Sequence, residues 1–136
     1  EVNYLHQLVQ IAAGRCEILV GGPMQALSTL AIGGHGFLCS EGNIAPVVCS
    51  ELQAAIRAGD LEAAKTAYRQ LNGVFSLNIW PGGSVRFLKT AMRLLGLPGS
   101  ATRPPFEHLD EAATAIALRS MQALDLPEWR GRLPRG

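Results

Sequence analysis

The sequence predicts an α/β fold: two parallel strands joined and flanked by helices, followed by a region that is helical throughout. Two short apolar runs, 17–20 and 37–39, have the length and the flanking glycines of buried parallel strands. Helical periodicity precedes, separates and follows these runs, and short glycine-rich turns connect the units. Such alternation is typical of a parallel sheet with crossover helices.

The strand-containing part also carries clear helix boundary signals. Apolar residues recur at helical spacing before the first strand, and Gly14 ends that predicted helix. Pro23 suits the first turn of a second helix, which the glycine-rich turn at 33–36 ends. Asn43 is expected to cap a third helix, with Pro46 tolerated in its first turn.

The remainder of the chain is expected to form three more helices. A helical period from 61 to 75 runs straight through Asn72 and Gly73, so one continuous helix is predicted there, and residues 80–83 form a break. The last helix is expected to begin near Asp110.

The second and third of these helices have predicted inner and outer faces. The second should bury Val85, Leu88, Met92 and Leu95 and turn Arg86, Lys89, Thr90 and Arg93 to solvent. The third should turn inward Ala113, Ile116, Ala117, Met121 and Leu124. The basic tail from residue 127 to 136 is expected to be loose.

Composition gives no support to several classes of function. The 136 residues carry a formal net charge of +1, which gives no electrostatic reason to expect nucleic acid or an anionic membrane as a partner. No apolar run approaches the length of a membrane span, and no signal peptide is visible at the start. Cys16, Cys39 and Cys49 are odd in number and scattered, which favours buried thiols, no metal site and a cytoplasmic location.

Four stretches, in this order and spacing, resemble the dihydrodipicolinate synthase / N-acetylneuraminate lyase family. The first stretch is the strand that ends in Gly21, and the second is the turn at 33–36. The third consists of residues 43–46 followed by 58–61. The fourth consists of Lys89 followed by 94–97 and 103–105. The resemblance implies the C-terminal part of a TIM (β/α)8 barrel. Strands seven and eight with their helices would occupy residues 1–59, and the family's C-terminal helical region would occupy residues 60–136.

The resemblance also implies a chemistry. Family members are Schiff-base-forming lyases in which a lysine on strand six forms an imine with pyruvate or another 2-keto acid, and a tyrosine moves the proton. No cofactor is needed. The two lysines present, Lys65 and Lys89, fall on predicted helices. The imine lysine and the tyrosine are therefore expected upstream of Glu1, in the missing N-terminal half of the barrel, and this chain alone should be inactive. The family also implies a homo-oligomer, commonly a tetramer.

Candidate substrate-binding residues follow from the rule that active sites of TIM barrels lie at the carboxyl ends of the strands. Gly21 and Gly22 follow the first strand, and Leu38, Ser40 and Glu41 lie at the end of the second. By resemblance, Gly21 and Leu38 match positions beside the bound keto acid, although a turn and a filled barrel explain them equally well. Ser40 and Glu41 are candidates to bind a substrate hydroxyl, with a solvated loop as the alternative for Glu41.

Departures from the family pattern favour an aldolase or dehydratase of sugar-derived 2-keto acids over a true dihydrodipicolinate synthase. Gly22 and Pro23 stand where acidic residues are usual, Glu41 stands among small residues, and 83–85 replaces an Asn-Pro pair.

Two alternatives remain open. Glycine-rich loops at 21–22 and 42–43, each leading into a helix, are also typical of a phosphate-binding TIM-barrel enzyme. A non-catalytic helical interaction module is the other. His35 is expected on the opposite, structural face of the sheet, and His6 and His108 lack companions at metal-ligand spacing.

Overall fold

The computed structural model describes residues 2–80, 84–99 and 101–134. Its helices and strands, in chain order, are α1 (Val2–Ala12), β1 (Leu19–Gly21), α2 (Ala26–Ala31), β2 (Gly36–Leu38), α3 (Pro46–Ala58), α4 (Leu61–Ser76), α5 (Ser84–Leu94) and α6 (Glu111–Leu124). Single turns of 3-10 helix occupy Pro23–Gln25, Ser40–Asn43 and Pro127–Trp129. None of the described helices is long and apolar enough to cross a membrane.

The two strands pair in parallel, as the sequence predicts. Leu19 lies opposite Gly36 and Gly21 lies opposite Leu38, with α2 as the crossover between the strands. Both strands are three residues long, and β1 begins two residues later than its apolar run. Gly36 suits this pairing, because a Cβ there would lie 2.9 Å from Cδ2 of Leu19, whose side chain would have to move.

The main core lies between the helices. Leu52 of α3 and Leu71 of α4 are fully buried where these two helices pack together. The prediction of one helix through Asn72 and Gly73 is confirmed. A Cβ on Gly73 would lie 2.7 Å from Leu124, so the glycine lets α6 approach α4 closely.

The predicted faces of α5 are partly wrong. Leu88 is buried as expected, but Val85 is exposed and Thr90 is fully buried instead of facing solvent. The segment that follows α5 folds back along the helix and contacts its basic side chains. Arg86 donates to the carbonyl oxygens of Glu107 and His108, at 3.0 Å each, and Lys89 Nζ donates to the carbonyl oxygen of Gly99. This basic stripe therefore holds a neighbouring segment in place and is not simply solvated.

The last helix and the tail also differ from expectation. Asp110 begins α6 as predicted, and its side chain accepts a 2.8 Å hydrogen bond from the Ala113 amide. Ile116, expected inside, is exposed. The tail is not loose at its start: Trp129 is 2% exposed, and its indole Nε1 donates to the Ile44 carbonyl oxygen at 2.5 Å. Local sequence patterns could not predict this contact, because Trp129 and Ile44 are 85 residues apart in the chain.

The cap of α3 is supplied from the tail and not by Asn43. The residue before the helix is Ala45, whose side chain makes no cap hydrogen bond, and Asn43 donates instead to the carbonyl oxygen of Ser40. The carboxylate of Glu128 accepts from the amides of Val47 and Val48, at 3.2 Å each. Pro46 occupies the first turn as predicted.

Candidate functional site

The carboxyl ends of β1 and β2 bring the first three candidate residues together. Gly21 pairs with Leu38, and the amide of Gly22 donates to the Leu38 carbonyl oxygen at 2.7 Å. Gly22 has φ of +87°, a left-handed backbone that side-chain-bearing residues rarely adopt. The turn after β1 is thus fixed against the end of β2. Gly21 and Gly22 have no side chains that would cover its main chain.

One face of the sheet is open. Leu38 is 68% exposed and Leu19 is 49% exposed, whereas Phe37, which points the other way, packs against the helical core. Parallel sheets are normally covered on both faces and read as apolar on both. The apolar side chains of Leu19 and Leu38 therefore mark a surface suited to burial by further protein.

Glu41 is buried, not solvated. Its side chain is 2% exposed, and Asn78 Nδ2 donates to Oε1 at 3.0 Å. The hydroxyl of Ser40 lies 3.4 Å from the second carboxylate oxygen. The main-chain oxygen of Glu41 accepts from Ile44 and Ala45, at 2.9 and 2.8 Å. Glu41 thus holds the turn that follows β2, and Ser40 lies half-buried at its edge.

Asn78 is a site residue that sequence reasoning missed. It lies just after α4 in the helical region and reaches the loop after β2, so it ties the two parts of the chain together. Among the described residues, its buried Oδ1 has no hydrogen-bond partner, which leaves an acceptor beside Glu41. A single asparagine after a helix carries no sequence signal for a contact of this range.

Three main-chain amides at or near the two glycine-rich loops are already engaged. Glu128 occupies the amides of Val47 and Val48 at the start of α3, and the Gly22 amide donates to Leu38. A phosphate bound at a helix start uses such free amides. These three amides are therefore not free to bind a phosphate.

His35 and the two lysines occupy structural positions. His35 exchanges hydrogen bonds with the main chain of Ile18 at the amino end of β2, as expected for the structural face. Lys65 pairs with Glu62 at 2.7 Å on α4, while Lys89 is engaged with Gly99. Nowhere in the described ranges do three histidine, cysteine or acidic side chains gather closely enough to hold a metal ion.

Adjacent parallel strands, a crossover helix and turns meeting at the strands' carboxyl ends define a βαβ unit of an α/β protein, here followed by packed helices. Residues 1–123 match the Dihydrodipicolinate synthetase family, and the chain belongs to that family.

A curated relative supports the family, and solved structures share the fold. The chain is 35% identical over 122 residues to a 4-hydroxy-tetrahydrodipicolinate synthase of Acidiphilium cryptum, covering 90% of this chain and 41% of the relative. A dihydrodipicolinate synthase structure from Bacteroides thetaiotaomicron has a TM-score of 0.83 at 19% identity, covering 90% of this chain and 43% of that one. An N-acetylneuraminate lyase from Proteus mirabilis has a TM-score of 0.78 at 22% identity, covering 92% and 42%.

A further solved relative was crystallised with a ligand. It is an E. coli K12 prophage protein of the dihydrodipicolinic acid synthase family, in complex with pyruvate, with a TM-score of 0.79 at 27% identity, covering 93% of this chain and 44% of that one. The chain therefore spans about two fifths of the length of the proteins it matches and corresponds to part of a barrel.

Proposed function

We propose that the complete protein is a Schiff-base-forming lyase that acts on pyruvate or another 2-keto acid, and that this chain supplies its C-terminal part. The observation that carries the proposal is the family match over residues 1–123. The pyruvate bound to the E. coli prophage relative supports the substrate class.

The proposal assigns β1 and β2 to strands seven and eight of the barrel. Residues 1–59 would then close the barrel, and residues 60–136 would form the C-terminal helical region. The open sheet face at Leu19 and Leu38 supports this assignment, since the missing strands of a barrel would cover it. The imine lysine and the proton-carrying tyrosine would belong to the part of the barrel that this chain does not supply.

Within this chain, we assign substrate contacts to the carboxyl ends of the two strands. Gly21 and Gly22 would offer main chain to the keto acid, because neither carries a side chain to hold it away. Leu38 would pack beside the substrate, and Ser40, whose own proton is directed at Glu41, would accept from a substrate hydroxyl. Glu41 enters the proposal as the carboxylate that holds Ser40 and the turn, because its own side chain is buried.

The experiment that tests the activity is exchange of the pyruvate methyl protons in D2O. An imine converts reversibly to an enamine, so an imine-forming enzyme exchanges these protons without a second substrate. We expect the complete protein to remove the methyl signal from the proton NMR spectrum. No exchange above that of a heat-denatured sample would contradict the proposal.

The positions of the site residues can be tested separately. A Cβ on Gly21 would meet nothing within 4 Å in this chain, so Gly21→Val should fold normally and obstruct only the space at the strand ends. We expect a raised KM for pyruvate in the exchange assay and an unchanged unfolding temperature. An unchanged KM would place the keto acid elsewhere.

A narrower proposal concerns the second substrate. Gly22 and Pro23 after β1, where acidic residues are usual, favour a sugar-derived 2-keto acid over aspartate semialdehyde. The replacement of the family's Asn-Pro pair at 83–85 falls partly outside the described residues. Faster turnover of a six-carbon 2-keto-3-deoxy sugar acid than of pyruvate with aspartate semialdehyde is expected. The reverse ranking would overturn the preference and leave the imine chemistry intact.

We also propose that the complete protein is a homo-oligomer, with a tetramer as the expected state. The solved relatives include a monomeric dihydrodipicolinate synthase variant, so the assembly must be measured for this protein. Sedimentation velocity of the complete protein at micromolar concentration should give the tetramer mass, and a single monomer peak would contradict it.

A further inference from the structure

Two of the three cysteines meet in space. Cys39 follows β2, and Cys49 lies in the first turns of α3. Their sulfur atoms are 3.8 Å apart, and both side chains are half-buried between the strand and the helix. Cys16, which the sequence analysis expected to be buried, is exposed and belongs to no such pair. Sequence spacing did not predict the Cys39–Cys49 contact.

The pKa values of the two thiols are shifted in opposite directions. The thiolate form of Cys39 can accept a hydrogen bond from the Cys49 thiol, which lowers the pKa of Cys39, and main-chain groups of Gly42 and Glu41 act in the same direction. Burial and the negative charge of Glu41 oppose this effect. The pKa of Cys49 is raised by its hydrogen bond to Cys39, by its burial, and by the negative charges of Cys39, Glu128 and Glu41.

The pair borders open space on this chain. Both sulfurs line an opening of about 430 Å³ at the side of β2, together with Gly42 and Gln53, and the exposed Leu19 and Leu38 line the same opening. Gly42 packs against the pair, since a Cβ there would lie 3.9 Å from the sulfur of Cys49 and 4.0 Å from that of Cys39. Hydrogen peroxide has only two heavy atoms, so an opening much smaller than this one would still admit it.

We propose that Cys39 and Cys49 form a peroxide-responsive dithiol, in which Cys39 is oxidised first and Cys49 resolves it to an intramolecular disulfide. The proposal rests on the geometry of the pair and does not depend on the lyase activity. Nothing in the family match requires it.

The chemistry balances with peroxide as the oxidant. The Cys39 thiolate attacks one peroxide oxygen, the O–O bond breaks, and the departing hydroxide takes a proton to become water. The sulfur of Cys49 then attacks the sulfenic sulfur of Cys39, and the released hydroxide takes the Cys49 proton. Two thiols and one peroxide give one disulfide and two waters, with one electron lost from each sulfur.

The disulfide would constrain the turn after β2. An S–S bond is about 2.05 Å long, so the two sulfurs must close by roughly 1.8 Å from their present separation. The bond would tie the end of β2 to the first turns of α3 and close the stretch 40–48 into a loop. That stretch contains Ser40 and Glu41, so oxidation would fix the turn that holds them.

The test is peptide mapping of the complete protein after treatment with equimolar hydrogen peroxide. The sample is quenched in acid, alkylated without reduction and cut after glutamate. Cleavage after Glu17, Glu41 and Glu51 places each cysteine of this chain in a different peptide, which trypsin cannot do because no lysine or arginine lies between 16 and 56. We expect one cross-linked species joining peptides 18–41 and 42–51, lost after reduction.

Three single variants complete the test. Cys39→Ser should abolish the linked species. Cys49→Ser should stop at a sulfenic acid on Cys39, which dimedone captures. Cys16→Ser, the matched control, should leave the link unchanged. Full alkylation of Cys39 and Cys49 in the wild-type protein, with oxidation confined to Cys16, would overturn the proposal. So would a link between Cys16 and either partner.

Discussion

Glu41 illustrates how one residue's role changes between sequence and structure. As a carboxylate after a strand it has the position of a substrate ligand, yet it is buried and bonded to Asn78 and Ser40. Removing a buried hydrogen-bond partner leaves the opposite group unpaired, at a cost of about 1–3 kcal/mol. The side chain is therefore expected to contribute first to folding stability.

Glu41→Ala and Glu41→Gln separate the two roles. We expect Glu41→Ala to lower the free energy of unfolding of the complete protein by about 1–3 kcal/mol, and Glu41→Gln by less, because the amide oxygen still accepts from Asn78. Urea unfolding measures both. A Glu41→Ala protein of unchanged stability but raised KM for substrate would show that the carboxylate serves binding alone.

Trp129 carries the second residue-scale prediction. Its ring is buried, and its indole N–H donates to Ile44, beside the turn that holds Glu41. Trp129→Phe removes that hydrogen bond and should cost about 1–2 kcal/mol, while Trp129→Ala should cost about 3–5 kcal/mol through the cavity it leaves.

Trp80 offers a matched control for this measurement. Its indole nitrogen is also buried, but among the described residues it has no hydrogen-bond partner. Trp80→Phe should therefore lower the unfolding temperature by less than Trp129→Phe. Equal shifts would mean that the Ile44 hydrogen bond contributes nothing and that ring volume alone matters.

At the scale of the element, local signals predicted what lies within a few residues. Asp60 and Asp110 cap α4 and α6 through side-chain hydrogen bonds. The capping role of Asp110 followed from its place before a helical pattern. The cap of α3 could not be predicted, because Glu128 lies at the other end of the chain. The carbonyl partner of Arg86 likewise lies far from it in the sequence, and only folding brings the two groups close.

The cap of α3 gives a prediction of its own. The Glu128 carboxylate accepts from two helix-start amides and lies at the positive end of the helix dipole. We expect Glu128→Ala to lower the free energy of unfolding by about 1–2 kcal/mol. Glu51→Ala, an exposed carboxylate later on the same helix, is the control and should change stability far less. Equal effects would dismiss the capping role.

At the scale of the whole molecule, the order of helices and strands was predicted well because each element has its own period and boundary residues. The parallel pairing of β1 and β2 followed from their apolar runs and the intervening helix. The buried tail and the link from Asn78 to Glu41 were not predictable, because both depend on contacts between distant parts of the chain. The same limit applied to the Cys39–Cys49 pair.

The open sheet face leads to a prediction about the chain in isolation. Leu19 and Leu38 expose apolar surface next to unpaired strand edges, a combination that promotes association. We expect residues 1–136 alone to bind the dye ANS and to self-associate with rising concentration, as light scattering would record. A monomeric chain with a sharp, cooperative unfolding transition would instead favour the helical interaction module.

The central claim is that this chain forms one part of a barrel whose imine lysine lies in the other part. The most direct measurement is borohydride reduction of the complete protein in the presence of pyruvate, followed by peptide mapping. The account predicts one reduced pyruvate adduct on a lysine outside residues 1–136, with Lys65 and Lys89 unmodified. An adduct on Lys65 or Lys89, or none on any lysine, would contradict it.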